Sequence, residues 1–329
     1  MKAVVLRSYG SSAKLQITDI GVPVPADDEV LVRVRATSVN PYDWHHISGQ
    51  PYAARLLPGT LGLRAPKITI PGCDVAGRVE AVGKDVREFS PGDDVFALLR
   101  EGGYAEYACV RQDLLAPKPA SLSHEQAAAV PMAAATALLA LRDEGRIKPG
   151  QPVLVTGASG GVGTFAVQLA GAFGAPVTGV CSGGHADLVR SLGAQEVIDY
   201  QADDFTRRGR RYDLIIDIAG SRPSAACRRA LTPEGTLVIV GGPSGRWFQP
   251  VSHVAAGLAL APLLAQRVTV ADITRHTGHK QLLTTLTEFI EAGQVTPVID
   301  RDYPFADISA AVGYQEKGHA AGKVVVTFP

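Results

Sequence analysis

Residues 153–163, Val-Leu-Val-Thr-Gly-Ala-Ser-Gly-Gly-Val-Gly, decide the fold. They open on a short apolar run that fits a buried strand and pass straight into a glycine-rich turn. From Val162 to about Phe173 the pattern becomes helical. Strand, glycine turn and helix in immediate succession are what a dinucleotide-binding loop requires. Backbone N–H groups at the turn and the helix start can face a pyrophosphate, and the helix dipole adds favourable charge. Ser159, Gly160, Gly161, Val162 and Gly163 would form this cradle. Gly160 would let the backbone approach the phosphates, and Gly163 would let helix and strand pack closely. Ala158 stands where the strict pattern has its first glycine. A tight turn alone can demand glycine, so the loop takes its meaning from what surrounds it.

What surrounds it is a series of strand patterns at 177–181, 195–200, 212–220 and 235–242, with a helical stretch at 185–192. Near-continuous apolar strands separated by helices predict an α/β fold, a doubly wound parallel sheet covered on both faces. Such sheets bind ligands at the carboxyl ends of their strands. Ser182, Tyr200, Ala219, Gly220, Gly241 and Gly242 fall at such ends, as cofactor contacts or as ordinary loop residues. An NAD-preferring fold places an acid at the end of the second strand, roughly 20 residues past the glycine turn. Here Cys181, Ser182, Gly183 and Gly184 stand there, and Asp187 is the first carboxylate. The missing acid favours NADP(H), with Ser182 and Tyr200 offering hydroxyls to the 2′-phosphate and His185 a partial positive charge.

The flanking regions differ in kind. Residues 1–120 carry short β patterns at Ala3–Leu6, Glu29–Thr37, Asp74–Val82, Asp93–Leu98 and Tyr104–Val110, separated by Pro-Gly and Gly-Gly turns. They predict a mostly antiparallel β domain. From His124 through Leu141 the chain is helical and alanine-rich. A helix at Lys280–Glu291, a strand at Val295–Asp300 and a last strand at Lys323–Phe328 complete the chain, the last able to return to the first domain. The expected division is 1–123, 124–273 and 274–329. Arg267–Ile273 alternates like an edge strand, and unpaired edges invite partners.

At 329 residues with 46% hydrophobic content, two domains are expected. The 32 basic and 32 acidic residues balance, which argues against a nucleic-acid surface or a polybasic membrane patch. The N-terminus reads as a strand, with too short an apolar core for a signal peptide, so a soluble cytoplasmic protein is expected. The longest apolar run, Val254–Ala265, is interrupted by Pro262. It falls short of the roughly 20 residues of a membrane span and reads as a buried helix. Cys73, Cys109, Cys181 and Cys227 make no C-x-x-C pair, so neither a disulfide framework nor a four-cysteine zinc site is expected.

The whole chain resembles the zinc-free quinone-oxidoreductase branch of the medium-chain dehydrogenase/reductase superfamily. The resemblance rests on Ser-Val-Asn-Pro-Tyr-Asp at 38–43, Pro-Gly-Cys-Asp-Val-Ala-Gly-Arg-Val-Glu-Ala-Val-Gly at 71–83 and Pro-Gly-Asp-Asp-Val-Phe at 91–96. It continues through Gly-Ala-Ser-Gly-Gly-Val-Gly at 157–163, Ser-Leu-Gly-Ala at 191–194 and Gly-His-Ala-Ala-Gly-Lys-Val-Val at 318–325. It implies a GroES-like catalytic domain closed by the C-terminal segment, an inserted Rossmann domain, and a cleft between them. Zinc-dependent relatives have a ligating Cys where this chain has Asn40, and Gly-His-Glu where it has Gly72-Cys73-Asp74. No zinc is therefore expected. Without a Lewis acid, oxidising a plain alcohol is disfavoured, and reduction of quinones or of alkenes conjugated to a carbonyl is favoured.

By the same resemblance, Asn40 and Tyr52 would hydrogen-bond the substrate carbonyl and Thr136 would contact the nicotinamide. Lys323 is assigned to the cofactor. Asp43 would orient its neighbours or the ribose end, or simply fix nearby backbone N–H groups. His45 and His46 point about 100° apart if helical, so one should face solvent. Tyr42 and Trp44 would pack the cleft wall. The leading expectation is an NADPH-dependent quinone or enone reductase acting as a homodimer through strand 267–273. An enoyl-thioester or carbonyl reductase stays open, its substrate admitted by the apolar loop 50–68 with Leu56, Leu57, Leu61 and Leu63. So does an NADPH-binding protein with little turnover.

Overall fold

The computed structural model describes residues 1–56, 61–243, 245–259 and 265–329. Leu57 of the apolar loop and the stretch from 260 to 264 of the long apolar run therefore lie outside the described residues. The chain opens with β1 (Lys2–Val4), β2 (Ile17–Asp19), β3 (Glu29–Val39) and α1 (Pro41–Ser48). Next come β4 (Asp74–Val82), β5 (Asp94–Leu98), β6 (Tyr107–Arg111), β7 (Leu115–Pro117), α2 (His124–Ala128) and α3 (Pro131–Leu138). The middle holds β8 (Val153–Thr156), α4 (Gly161–Ala172), β9 (Val177–Cys181), α5 (Ala186–Ser191) and β10 (Glu196–Asp199). It continues with β11 (Tyr212–Asp217), α6 (Ser224–Arg229), β12 (Leu231–Ile239), α7 (Val251–Ala259) and β13 (Arg267–Val270). The chain finishes with α8 (His279–Glu291), β14 (Ile299–Pro304), α9 (Ile308–Glu316) and β15 (Lys323–Thr327). One unit comprises Met1–Met132, His276–Glu291 and Pro297–Pro329; the other comprises Ala133–Arg275 and Ala292–Thr296.

The first unit is built on β3. Its Val-rich sequence suits a pleated, buried surface. Along one edge β3 pairs antiparallel with β4. Along the other, Glu29–Arg33 pairs with β6 and Ala36–Val39 pairs with β15. The last strand of the chain thus returns to the first domain, as its pattern implied. β14 joins β15 in parallel, and β5 and β7 extend the far side antiparallel. Val32, Val75, Val95, Tyr104, Val324 and Val326 fill the core, and Phe305 stacks on Phe328 at 4.4 Å. The end of β3 sets the start of α1. Asn40 is extended (φ −126°, ψ 157°) and precedes Pro41, whose ring presets the first helical φ of α1. Gly49 ends α1 at φ 67°, where only glycine sits without strain.

The second unit is a six-stranded, wholly parallel sheet in the order β10-β9-β8-β11-β12-β13. Counted within the unit this is 3-2-1-4-5-6, the doubly wound order in which successive strands are added on opposite sides of the first, so that the strand order reverses between the first and fourth strands. That switch point lies between the carboxyl ends of β8 and β11, where the glycine loop begins. Leu154, Val180, Ile198, Ile215, Leu237 and Ile239 form its core.

Three local expectations are corrected. The described part of the Val254–Ala265 run is not a buried helix. α7 buries only His253 and Gly257, while Ala255, Ala256 and Ala259 are exposed and Leu258 is 42% exposed. A run without polar residues does not reveal which face will be covered. The strand expected from Val295 begins at Ile299, because Ala292–Thr296 belongs to the other unit, where Thr296 N–H donates to Gln168 Oε1 at 2.9 Å. The edge strand from Arg267 ends at Val270, and a 3₁₀ turn takes over at Ile273. Among the described residues no helix is long and apolar enough to cross a membrane.

Candidate functional site

In the first unit, the junction of β3 with α1, the start of β4 and the start of β15 bring Ser38, Asn40, Asp43, Cys73, Asp74 and Lys323 into one buried cluster. Asp74 is its centre. Its Oδ2 accepts from the Ser38 hydroxyl, from Asn40 Nδ2 at 2.9 Å and from Lys323 Nζ at 3.3 Å; its Oδ1 accepts from Met132 N–H at 2.7 Å. A buried charge is tolerable only when paired and fully hydrogen-bonded, and this one is. Lys323 Nζ also donates to Asn40 Oδ1. An ammonium has donors and no acceptor, so this bond fixes which way the Asn40 amide points. The two amide hydrogens are then directed at Asp74 and, at 3.2 Å, at Cys73 Sγ.

Asp43 acts as a local orienting carboxylate. It accepts the Asn40 N–H at 2.9 Å, closing the first turn of α1, and the Gly72 N–H at 3.2 Å. Burial, followed by the nearby Asp74 charge, pushes its carboxyl up from the ordinary value near 3.8 to about 6. The Tyr104 hydroxyl is buried against Asp43 without a well-formed hydrogen bond. The Cys73 thiol is driven well above its usual range, first by burial and then by Asp43 and Asp74.

The raised Asp43 value has a direct consequence for stability. The protonated carboxyl is favoured in the fold, so this contribution is fully present below about pH 4 and is lost as pH rises through about 6. The difference is worth on the order of 3 kcal/mol at most. The melting temperature of the wild-type protein is expected to fall relative to that of Asp43→Asn between pH 4 and pH 7. Parallel profiles for the two proteins would contradict the assignment.

His45 and His46 correct the expectation that one faces solvent. Both point inward: His46 is buried and His45 half-buried, with Nδ1 2.7 Å from Gln50 O. Burial lowers both, His46 to about 4 with help from His45 and Arg100. Tyr42 reaches Arg100 O at 3.4 Å and its ring lies 4.4 Å from that of His46, while Trp44 lies 4.7 Å from His45. Tyr52 begins a 3₁₀ turn, half-buried, with the Arg55 guanidinium 4.8 Å above its ring. Arg55 also donates to Gly49 O at 2.7 Å, tying the turn to the end of α1.

The second unit carries the glycine loop. Gly157 adopts φ +65°, and α4 starts at Gly161 with Gly160 as a cap that offers no side chain. The first N–H groups of a helix have no partner within it. Gly161, Val162 and Gly163 supply these groups, and Ser159 to Val162 are only half-buried. A β-carbon on Gly163 would stand 2.0 Å from Gly157 O, whereas one on Gly160 would meet nothing nearer than 3.4 Å. Gly163 is thus dictated by packing, and Gly160 borders open space. This is a cradle that fits a pyrophosphate.

At the switch point, the Thr156 hydroxyl donates to Asp217 Oδ1 at 2.8 Å and accepts the N–H groups of Ile218 and Ala219 at 3.0 and 3.1 Å. His253 Nε2 lies 3.0 Å from Asp217 Oδ2. Gly241 and Gly242 also have a packing reason. A β-carbon on Gly241 would be 2.5 Å from Ile218 O, and one on Gly242 would be 2.7 Å from Pro250 Cβ. At the end of β9, Ser182 Oγ meets His185 Nδ1 at 3.2 Å and Tyr200 N–H donates to Cys181 O at 3.1 Å. The strand end thus brings Ser182, His185 and the Tyr200 backbone together. Thr136 is buried on α3. Lys323, assigned to the cofactor by resemblance, donates to Asn40 and Asp74 in the first unit. Sequence reasoning weighs Asp74 only against a zinc ligand position and does not single out Asp217. A lone carboxylate at the end of an apolar run is the available signal for Asp217.

A doubly wound sheet with a bare glycine-rich helix start, in one chain with a β-rich unit holding a buried Asn–Asp–Lys cluster, defines a dinucleotide-binding oxidoreductase. Residues 26–120 match the alcohol dehydrogenase GroES-like domain and residues 192–326 match the zinc-binding dehydrogenase family. The chloroplast envelope quinone oxidoreductase homolog of Arabidopsis thaliana is 34% identical over 343 residues, covering 99% of this chain and 98% of that protein. The chloroplastic NADPH-dependent alkenal/one oxidoreductase of Arabidopsis thaliana is 33% identical, covering 99% of this chain and 79% of that protein. The structure of the quinone oxidoreductase from Coxiella burnetii superposes with a TM-score of 0.83 at 27% identity, covering 99% of both chains. The chain belongs to the medium-chain dehydrogenase/reductase superfamily.

Proposed function

We propose that the protein reduces quinones, or alkenes conjugated to a carbonyl, with NADPH and without zinc. The observation that carries this reading is the Asn40–Asp74–Lys323 cluster. At the positions where zinc-dependent relatives hold their ligands, this chain sets the Asn40 amide, the protonated Cys73 thiol and the Asp74 carboxylate, the last already paired with the Lys323 ammonium. A zinc site needs deprotonated donors, and a cation already sits among these residues.

The cradle of Ser159, Gly160, Gly161, Val162 and Gly163 would hold the pyrophosphate. Ser182 and Tyr200 would offer hydroxyls to a 2′-phosphate, with Thr136, Ala219, Gly241 and Gly242 along the rest of the cofactor. When bound, the reduced nicotinamide supplies a hydride to an acceptor that takes it without Lewis-acid help. Negative charge then grows on the substrate oxygen and needs a positioned donor. Beyond two long contacts to Ser38 O and Asp43 Oδ2 at 3.5 Å, the bond from Asn40 to Cys73 Sγ is a weak one, because sulfur is a poor acceptor. It is the bond Asn40 can exchange for the substrate oxygen, while Lys323 keeps Oδ1 turned inward. Tyr52 is the second proposed donor. The assembly is proposed as a homodimer through β13, which is the edge strand of its sheet, and the location as cytoplasmic.

The test is oxidation of NADPH and NADH by chelator-treated protein with 1,4-benzoquinone, 9,10-phenanthrenequinone, 2-cyclohexenone and an enoyl thioester. NADPH turnover is expected to survive chelation. Activity that vanishes with the chelator and returns with zinc would overturn the metal assignment, and activity confined to an enoyl thioester would move the substrate.

A further inference from the structure

The end of β9 lacks an acid in sequence but not in space. β10 lies beside β9 in parallel register, with Asp199 paired to Cys181. That register carries the Asp199 carboxylate to the end of β9. A β-carbon on Gly183 would stand 2.6 Å from Asp199 Oδ2, so this oxygen lies directly against the Gly183 backbone. The other oxygen, Oδ1, accepts the Gln201 N–H at 3.0 Å and holds the carboxylate in place. Gly183 is exposed, and its neighbours in the chain are Ser182 and the residues leading to His185. The nearest arginine in sequence, Arg190, is engaged by Asp187 at 2.7 Å. Tyr200 is 46% exposed and directly follows Asp199.

The carboxyl end of the second strand is where a doubly wound fold meets the adenosine ribose. A carboxylate there accepts a hydrogen bond from a 2′-hydroxyl and repels a 2′-phosphate. From this placement we propose that Asp199 is a specificity-determining residue that limits discrimination for NADPH, so that NADH is also a working cofactor. This rests on the nicotinamide-cofactor reading of the glycine loop. Ser182 and Tyr200 favour the phosphate; Asp199, contributed by the neighbouring strand, opposes it. Glycine at 183 is what allows the carboxylate this approach, since any side chain there would displace it.

Asp199→Asn is the informative variant, because an amide keeps an acceptor for the Gln201 N–H and removes only the charge. The ratio of kcat/KM for NADPH to that for NADH, with 1,4-benzoquinone as acceptor, is expected to rise about tenfold in Asp199→Asn, through a lower KM for NADPH. Asp199→Ser, which can also accept at the turn, should move the ratio the same way. Direct titration of NADPH and NADH by tryptophan fluorescence or calorimetry separates the possible failures. If neither cofactor binds the wild-type protein, the cofactor reading itself is wrong. If both bind but the ratio is unchanged in Asp199→Asn and Asp199→Ser, or both fall together with a lower melting temperature, Asp199 only supports its own turn and the inference is overturned.

Discussion

Replacing Lys323 by Met is expected to lower folding stability by about 3–5 kcal/mol, the usual cost of leaving one partner of a buried ion pair behind. Asp74 is fully buried and would keep its Ser38, Asn40 and Met132 donors while losing its counter-charge. Asn40 Oδ1 would lose its donor at the same time. The amide would then be free to flip, so, if it meets the substrate as proposed, turnover should fall by about 100-fold, the scale set by a misplacement of about 1 Å. The double variant Asp74→Asn with Lys323→Met separates the two effects. It leaves no unpaired charge, so much of the stability should return, but nothing restores the amide orientation, so activity should stay low. Chemical denaturation of the two single variants and the double variant gives the coupling energy directly. A coupling below about 0.5 kcal/mol would show that the pair does not hold the cluster together.

This cluster also marks the limit of what could be read from the chain. The glycine loop was legible because strand, turn and helix are consecutive and each carries its own period. The return of β15 was legible because a valine run after a helix needs a sheet to join. Asn40, Asp74 and Lys323 are separated by 34 residues in one case and 249 in another. Nothing local to any of them announces the other two; they meet because β3 pairs with both β4 and β15. Asp199 was hidden for a related reason. The expectation of an acid looks along one strand, and the sheet supplied it from the strand alongside. α7 failed differently, since an apolar run without polar interruptions has no face to read. The two histidines of α1 were placed by angular spacing alone, which gives their separation and not the direction of the core.

The second large effect concerns the loop on which the cofactor reading depends. Gly163→Val is expected to abolish measurable cofactor binding, a loss of at least about 100-fold or roughly 2.8 kcal/mol. A β-carbon there would lie 2.0 Å from Gly157 O and 2.7 Å from Ala158 Cα. These are backbone atoms, and no rotamer change can relieve them. Helix α4 would have to move away from β8, costing a further 1–3 kcal/mol or so of stability as overpacking does. Loss of binding in this variant alone would not show that the loop touches a ligand, because a distorted sheet would lose it as well. Gly160→Ala supplies the distinction. Its methyl group would meet only Gly157 O, at an ordinary 3.4 Å, and Gly160 has φ −82°, which alanine adopts freely. The change at the cap should cost no more than about 1 kcal/mol. The methyl would nevertheless stand where the proposed pyrophosphate would approach the helix start. Weakened NADPH binding with a nearly unchanged melting temperature places the phosphates at this turn. Unchanged binding in Gly160→Ala, beside a collapsed Gly163→Val, would mean that the glycines serve packing alone and that the dinucleotide lies elsewhere.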